Sequence, residues 1–264
     1  MCWSPTADLV AGSVVGGVGI LALSRVRRPR QVPLACLPLI LGAHQLVESV
    51  VWRGADGTVS ASAAHTAILI WAAIAFPLLP GYVPLAVLSA VWPDHAARRR
   101  LLPLCAIGLA SSSALAYSMA SGPVNAVPMG HVLTYSVQIP AGGVVIAGYL
   151  LAGLGAPMAS GNRELRAFGV IGVVGAAVCV LAWHLAFAST WCAFAAVISV
   201  TLVYWLWRDR AADDARGIGR GHDASGADLA LTAGESDVTE QSEPHDVDAA
   251  NPQPPARPTR PSAP

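Results

Sequence analysis

The stretch ADLVAGSVVGGVGILALSRVRRPR, residues 7–30, decides the fold. Its first part, Ala7 to Leu23, is an apolar run interrupted only by Asp8 and Ser13. About 17–25 such residues suffice for a helix to cross a bilayer. No basic residue precedes the run, and Arg25, Arg27, Arg28 and Arg30 follow it. A secretory signal peptide has the reverse polarity, so the run reads as a retained membrane anchor with its positive flank on the cytoplasmic side.

Six further apolar runs repeat the pattern, at Val32–Trp52, Ala63–Trp92, Leu101–Ser121, Thr134–Gly155, Ala167–Phe187 and Thr190–Trp207. The third is too long for one straight span, and Pro77, Pro80 and Pro84 predict a single kinked or partly unwound crossing. The loops assigned to the cytoplasm and the exit from the last helix carry eleven arginines, whereas the outer loops hold Arg53 alone. This alternation predicts an all-α, polytopic seven-transmembrane-helix bundle in the cell membrane, N-terminus outside and C-terminus cytoplasmic. Trp3, Trp52 and Trp191 then fall at the outer interface, and Trp92, Trp205 and Trp207 at the inner one.

The composition agrees. Hydrophobic residues make up 54% of the 264 and charged residues 12%, with a mean hydropathy of +0.54, outside the usual soluble balance. Of 32 charges, 17 lie from Arg208 onward, so residues 1–207 form the membrane domain and 208–264 a separate tail. From Ala211 on, the tail combines acids, Gly, Ser and seven Pro without apolar periodicity, and reads as a disordered cytoplasmic extension available to a partner. A foldable basic patch is missing, which excludes nucleic-acid binding. Lysine is absent from the chain, which excludes a retinal Schiff base. Membrane lipids are the expected surroundings, and nothing in the sequence sets an oligomeric state.

Polar residues inside spans are costly and therefore informative. Glu48 lies about 6 Å below the outer end of the second run, with His44 one turn deeper on the same face. At the same depth the topology brings His131, Tyr135 and Gln138, spaced i, i+4, i+7 at the start of the fifth run, and His184 beside Trp183 near the end of the sixth. Imidazole and carboxylate are donors for zinc and other divalent metals, so His44, Glu48, His131 and His184 are the candidate ligands. Gln45, Trp52, Tyr135, Gln138 and Trp183 are the candidate pocket wall. The bland alternative is a hydrogen-bonded polar cap that holds helices together. Cys2 becomes the first residue if Met1 is removed, and its thiolate and amine make it a second candidate catalytic group beside Glu48. Cys36, Cys105 and Cys179 read as small packing residues. Gly12 with Gly16, and Gly172 with Ala176, form small-xxx-small pairs for close packing within the chain.

The start Met1-Cys2-Trp3-Ser4-Pro5-Thr6-Ala7 and the segment His44-Gln45-Leu46-Val47-Glu48-Ser49-Val50-Val51-Trp52 resemble an uncharacterised bacterial family of seven-helix membrane proteins. Those proteins begin Met-Cys-Phe-Ser-Ala and carry Gln-x-x-Glu-Gly-x-x-Trp in the second helix. Trp3, Pro5 and Ser49 depart from that pattern. The resemblance spans residues 1–207 and implies that Cys2, Gln45, Glu48 and Trp52 are recurring family features, but it carries no activity. In outline the chain also resembles the seven-helix ceramidase and progestin-receptor-like superfamily, whose members bind zinc within the bundle. The seventh run here contains no His. The functional expectations are thus a metal-dependent hydrolase of a lipid or amide, a seven-helix sensor or receptor, or a haem protein using two of His44, His131 and His184 as axial ligands.

The arginine asymmetry makes a direct prediction. Reporter fusions after Trp52 and after Arg100 should report opposite sides of the membrane; the same side for both would contradict the expected topology.

Overall fold

A computed structural model of the chain describes residues 4–129, 132–183 and 199–208. Helix α1 spans Pro5–Ser24. It starts where the Ser4 hydroxyl accepts a hydrogen bond from the Ala7 amide at 3.2 Å, with Pro5 in the first turn, where its missing N–H is harmless. The second apolar segment is a 3-10 turn at Pro29–Gln31, a short α2 at Val32–Ala35 and the long α3 at Leu37–Ala55. Pro29, Pro33 and Pro38 each sit in the first turn of one of these pieces, so the segment is assembled from prolines that begin helices.

The third segment bears out the expected interruption. Helix α4, Ala61–Ala73, passes through a π-turn at Ile74–Leu78 into α5, Leu79–Ala90. Pro77 lies inside the π-turn and cannot donate to the ladder, and a wider turn absorbs the missing bond without ending the helix. Helix α6 runs over His95–Ser121, capped by the Asp94 carboxylate, which accepts from the amides of Ala96 at 2.9 Å and Ala97 at 3.1 Å. Arg98–Arg100, counted above among the arginines of the cytoplasmic loops, thus lie on the first turns of α6. The amide bonds, that from Ala97 foremost, hold the Asp94 carboxyl below its ordinary value of 3.8. The cap's stabilisation is therefore complete above that ordinary value and is lost as pH falls through the lowered one.

The fifth apolar run corrects the all-α expectation. Residues 134–141 do not open a helix. Instead β1, Asn125–Met129, pairs antiparallel with β2, Val132–Ser136, in a register that sets Met129 opposite Val132 and Asn125 opposite Ser136. Helix α7 begins only at Gly142 and ends at Ala159. The cause lies in the residues between: Pro123, Pro128 and Pro140 break helices, while Val132, Thr134, Tyr135 and Val137 suit a pleated strand. Helix α8 follows at Arg163–Trp183, and residues 199–208 are helical.

Among the described residues, five helical segments are long and apolar enough to cross a membrane: Pro5–Ser24, Pro29–Ala55, Ala61–Ala90, His95–Ser121 and Gly142–Ala159. The expected sixth and seventh crossings run into residues outside the description, as does the tail from Asp209 onward. Of the five, the second is the most enclosed, with 61% of its apolar window buried against 17–33% elsewhere. Helix α3 is the central post of the bundle.

Glycines let α1 reach it. A Cβ added at Gly42 would lie 2.6 Å from the Gly16 amide nitrogen and 2.9 Å from the Gly12 carbonyl, and one added at Gly19 would lie 2.7 Å from Leu39. The two backbones touch, as the Gly12–Gly16 spacing predicts. On the other side, the Tyr82 hydroxyl donates to the Pro33 carbonyl and the Ser89 hydroxyl donates to the Arg30 carbonyl at 2.9 Å, tying α5 to the start of the second segment. At this same end the Arg25 guanidinium lies 5.2 Å over the Trp207 ring, and Arg208 pairs with Glu164 at 3.4 Å. The arginine-bearing segments therefore gather at one end of the bundle. The main core joins Val15, Leu41, Val87, Leu101, Phe168 and Leu206.

Because backbone atoms meet the missing side chain, Gly42→Leu should lower stability by at least about 1–3 kcal/mol in thermal unfolding of the detergent-purified protein. Gly17→Ala, where an added Cβ meets nothing within 4 Å, should stay within about 0.5 kcal/mol of the parent.

Candidate functional site

Helix α3 carries an unusual load for a helix at the centre of an apolar bundle. His44, Gln45, Glu48, Ser49 and Trp52 are all buried, Glu48 completely. His44 and Glu48 sit one turn apart on one face, as their i, i+4 spacing dictates. Asp8 on α1 is buried as well. The helix register, with Gly12 beside Leu46, Gly16 beside Gly42 and Gly19 beside Leu39, sets Asp8 level with Val50 and within a turn of Glu48 and Trp52. Asp8 was legible as a polar residue at the outer N-terminus, but not as part of this set. Only the antiparallel register brings it there.

Aromatic rings flank the imidazole. Trp71 of α4 is fully buried, its ring centroid 4.5 Å from that of His44 at an interplanar angle of 33°. On it the Tyr135 ring stacks face to face at 3.5 Å and 1°, and Phe76 meets it edge-on at 6.1 Å. Tyr135 therefore does join the site, though from a strand. In β2 the side chains of Leu133 and Tyr135 share a face: Leu133 packs against Val51, Trp52 and Ala67, and Tyr135 against Trp71. The hairpin thereby lies against the C-terminal part of α3 and along α4.

Tyr135 and Gln138 do not share a helical stripe, since Tyr135 is in β2 and Gln138 follows it. Gln138 is exposed and stands apart from the buried set, because a strand's period of two separates residues that a helical period would align. Cys2, His131 and His184 lie outside the described residues, as does the side chain of Trp183, the last residue of α8. Among the described residues, no three His, Cys, Asp or Glu side chains gather into a group that would hold a metal. Cys36 and Cys105 are free thiols, half-buried and buried, consistent with packing roles. Trp71 escaped the sequence reading, although a tryptophan ten residues into a span, far from either interface, was the available signal.

Beside the N-terminal half of α3 lies a cavity of about 220 Å³. His44 and Gln45 border one end of it, Trp71 and Tyr149 flank it, and the rest of its wall is aliphatic or aromatic, including Leu37, Leu41, Leu79, Val83 and Phe168. A few convergent polar groups on an apolar cavity are the usual makings of a small-molecule site.

A family of unknown function, DUF6629, matches residues 1–217. The chain belongs to DUF6629. The DUF6629 match takes in the bundle, the whole polar set and only the first residues of the tail, in agreement with the resemblance to an uncharacterised family. No curated protein and no solved structure matches the chain.

The aromatic stack generates a prediction. Trp71→Ala removes the ring on which both His44 and Tyr135 rest and should lower stability by about 3–5 kcal/mol. Gln138→Ala should change it by less than about 0.5 kcal/mol. Thermal unfolding of both variants in one detergent checks the contrast.

Proposed function

We propose that the chain is a multi-pass cell-membrane protein that crosses the bilayer seven times, N-terminus outside, with an outward-facing polar site for a lipid or amide substrate. The observation that carries this reading is the buried polar face of α3. Glu48, Gln45 and His44 follow one another inward, and the last two border an apolar cavity. A purely structural cap has no need of that cavity. The clustering of arginine-bearing segments at one end of the bundle supports the orientation, since positive loops belong to the cytoplasmic face. Residues 208–264 then form the cytoplasmic tail.

In this reading Glu48 is the acid–base group of a hydrolase. A carboxyl can accept a proton from water and pass one to a leaving group, which is the general acid–base role acyl transfer needs. His44 and Glu48 would supply two donors to a divalent metal, zinc being the natural choice for a nitrogen and oxygen set. His131 and His184 are the candidates to complete it, and a metal held there would polarise a carbonyl and activate water. Cys2 is the second candidate catalytic group, its thiolate or amine serving as a nucleophile.

The test is elemental analysis of the detergent-purified full chain, alongside hydrolysis of acyl-ester and acyl-amide substrates. Near-stoichiometric metal in the parent, lost in both Glu48→Gln and His44→Ala while membrane insertion is kept, is the expected result. A metal-free parent that hydrolyses nothing, with both variants merely less stable, would reduce the cluster to interhelical glue.

A further inference from the structure

We infer that the cavity beneath His44 and Gln45 is a binding site for one alkyl chain, and that the site's ligand is a single-chain amphiphile of the fatty-acid type. This rests on the proposed outward-facing polar site and names what that site takes. The argument is one of shape. Along α3 the cavity wall extends from Leu37 to Gln45, eight residues or about 12 Å at helical rise. A volume of about 220 Å³ spread over about 12 Å leaves a channel roughly 5 Å across. Non-bonded carbons pack at about 3.5–4.0 Å, so the channel admits one chain of methylenes and is too narrow for a second chain or a fused ring system. Its capacity agrees, since a dry cavity of about 150 Å³ holds a six-carbon ring, and this one holds proportionately about nine carbons.

Polarity sets the direction. Polar side chains on the wall are few: His44 and Gln45 at the outward end and Tyr149 and Trp71 along the side. The inward end, at Leu37, Leu79 and Val83, is wholly apolar. A carboxyl or acyl carbonyl would meet the imidazole and the amide, and its tail would point toward the cytoplasmic half. An outer-leaflet amphiphile has that same orientation, so entry requires no inversion in the bilayer.

One glycine offers a clean lever. Gly153 of α7 lines the cavity, and a Cβ added there meets nothing within 4 Å. A larger side chain at this position therefore grows into the channel without striking backbone. Gly143 on the same helix is equally open but does not line the cavity, and serves as the control.

The experiment is photolabelling of the full chain in nanodiscs with palmitic acid carrying a mid-chain diazirine, followed by peptide mapping. A two-chain phosphatidylcholine with the same diazirine is the second probe. Labelling by the fatty acid should map to residues 37–45 and 146–157. It should fall at least tenfold in Gly153→Phe, fall partly in Gly153→Leu and persist in Gly143→Phe, with all three variants inserted and monodisperse. Unchanged labelling in both Gly153 variants, or equal labelling of those segments by the two-chain lipid, would overturn the inference. His44→Ala and Gln45→Leu separate it from the reading beneath it. If they leave labelling intact while Gly153→Phe abolishes it, the alkyl channel stands and the polar site fails as its reader.

Discussion

The contact on which the structure depends is the backbone approach of α1 to α3 through Gly12, Gly16 and Gly42. In a bilayer there is no hydrophobic drive between helices, so proximity must come from packing. A Cβ at Gly42 would fall 2.6 Å from a backbone nitrogen, which leaves no side-chain rearrangement able to accept it. That approach does more than join two helices. It fixes the antiparallel register, and the register brings Asp8 to the level of Glu48 and Trp52. It also shields one side of α3, whose opposite side is covered by α4 and the hairpin. Enclosure on both sides explains how a helix with His44, Gln45, Glu48 and Ser49 buried is the central one.

Much of this was legible from residue types. The spans announced themselves through apolar runs, and the prolines at 77, 80 and 84 announced the interruption that appears as the π-turn at Ile74–Leu78. The small residues of α1 announced the close packing, though not which glycine faces them, because partner choice is a tertiary fact. The hairpin was misread. Residues 134–155 are apolar enough to be taken for one span, and hydropathy alone cannot separate a strand from the helix that follows it. Pro123, Pro128, Gly130 and Pro140 carried the missing information. The consequence reaches the site: the spacing of Tyr135 and Gln138 suits one helical stripe, whereas Tyr135 reaches Trp71 from a strand and Gln138 is exposed. Trp71 shows another limit. A buried tryptophan inside an apolar run has no pattern of its own, and only the imidazole and phenol rings packed on it reveal its role.

Polar and apolar features of α3 are arranged in sequence along its axis, and that order gives the account its coherence. The carboxyl of Glu48 comes first from the C-terminal end of α3, the amide and imidazole of Gln45 and His44 lie about one turn closer to its N-terminal end, and the cavity wall continues from them to Leu37. A polar cap built only for packing would sit against filled volume. Here it sits against a cavity with a largely apolar wall, in a chain of DUF6629 that also concentrates its arginines at one end of the bundle.

The central claim, that the polar face of α3 opens into a ligand channel, is tested most directly by substrate protection of a single thiol. In a background with the native cysteines replaced, Ala75→Cys puts the reporter on the wall of the channel, and Val14→Cys puts a control on the exposed face of α1. With the protein in nanodiscs, palmitic acid should slow N-ethylmaleimide modification of the thiol at 75 at least tenfold and leave that at 14 unchanged. Equal rates at position 75 with and without the fatty acid would contradict the account.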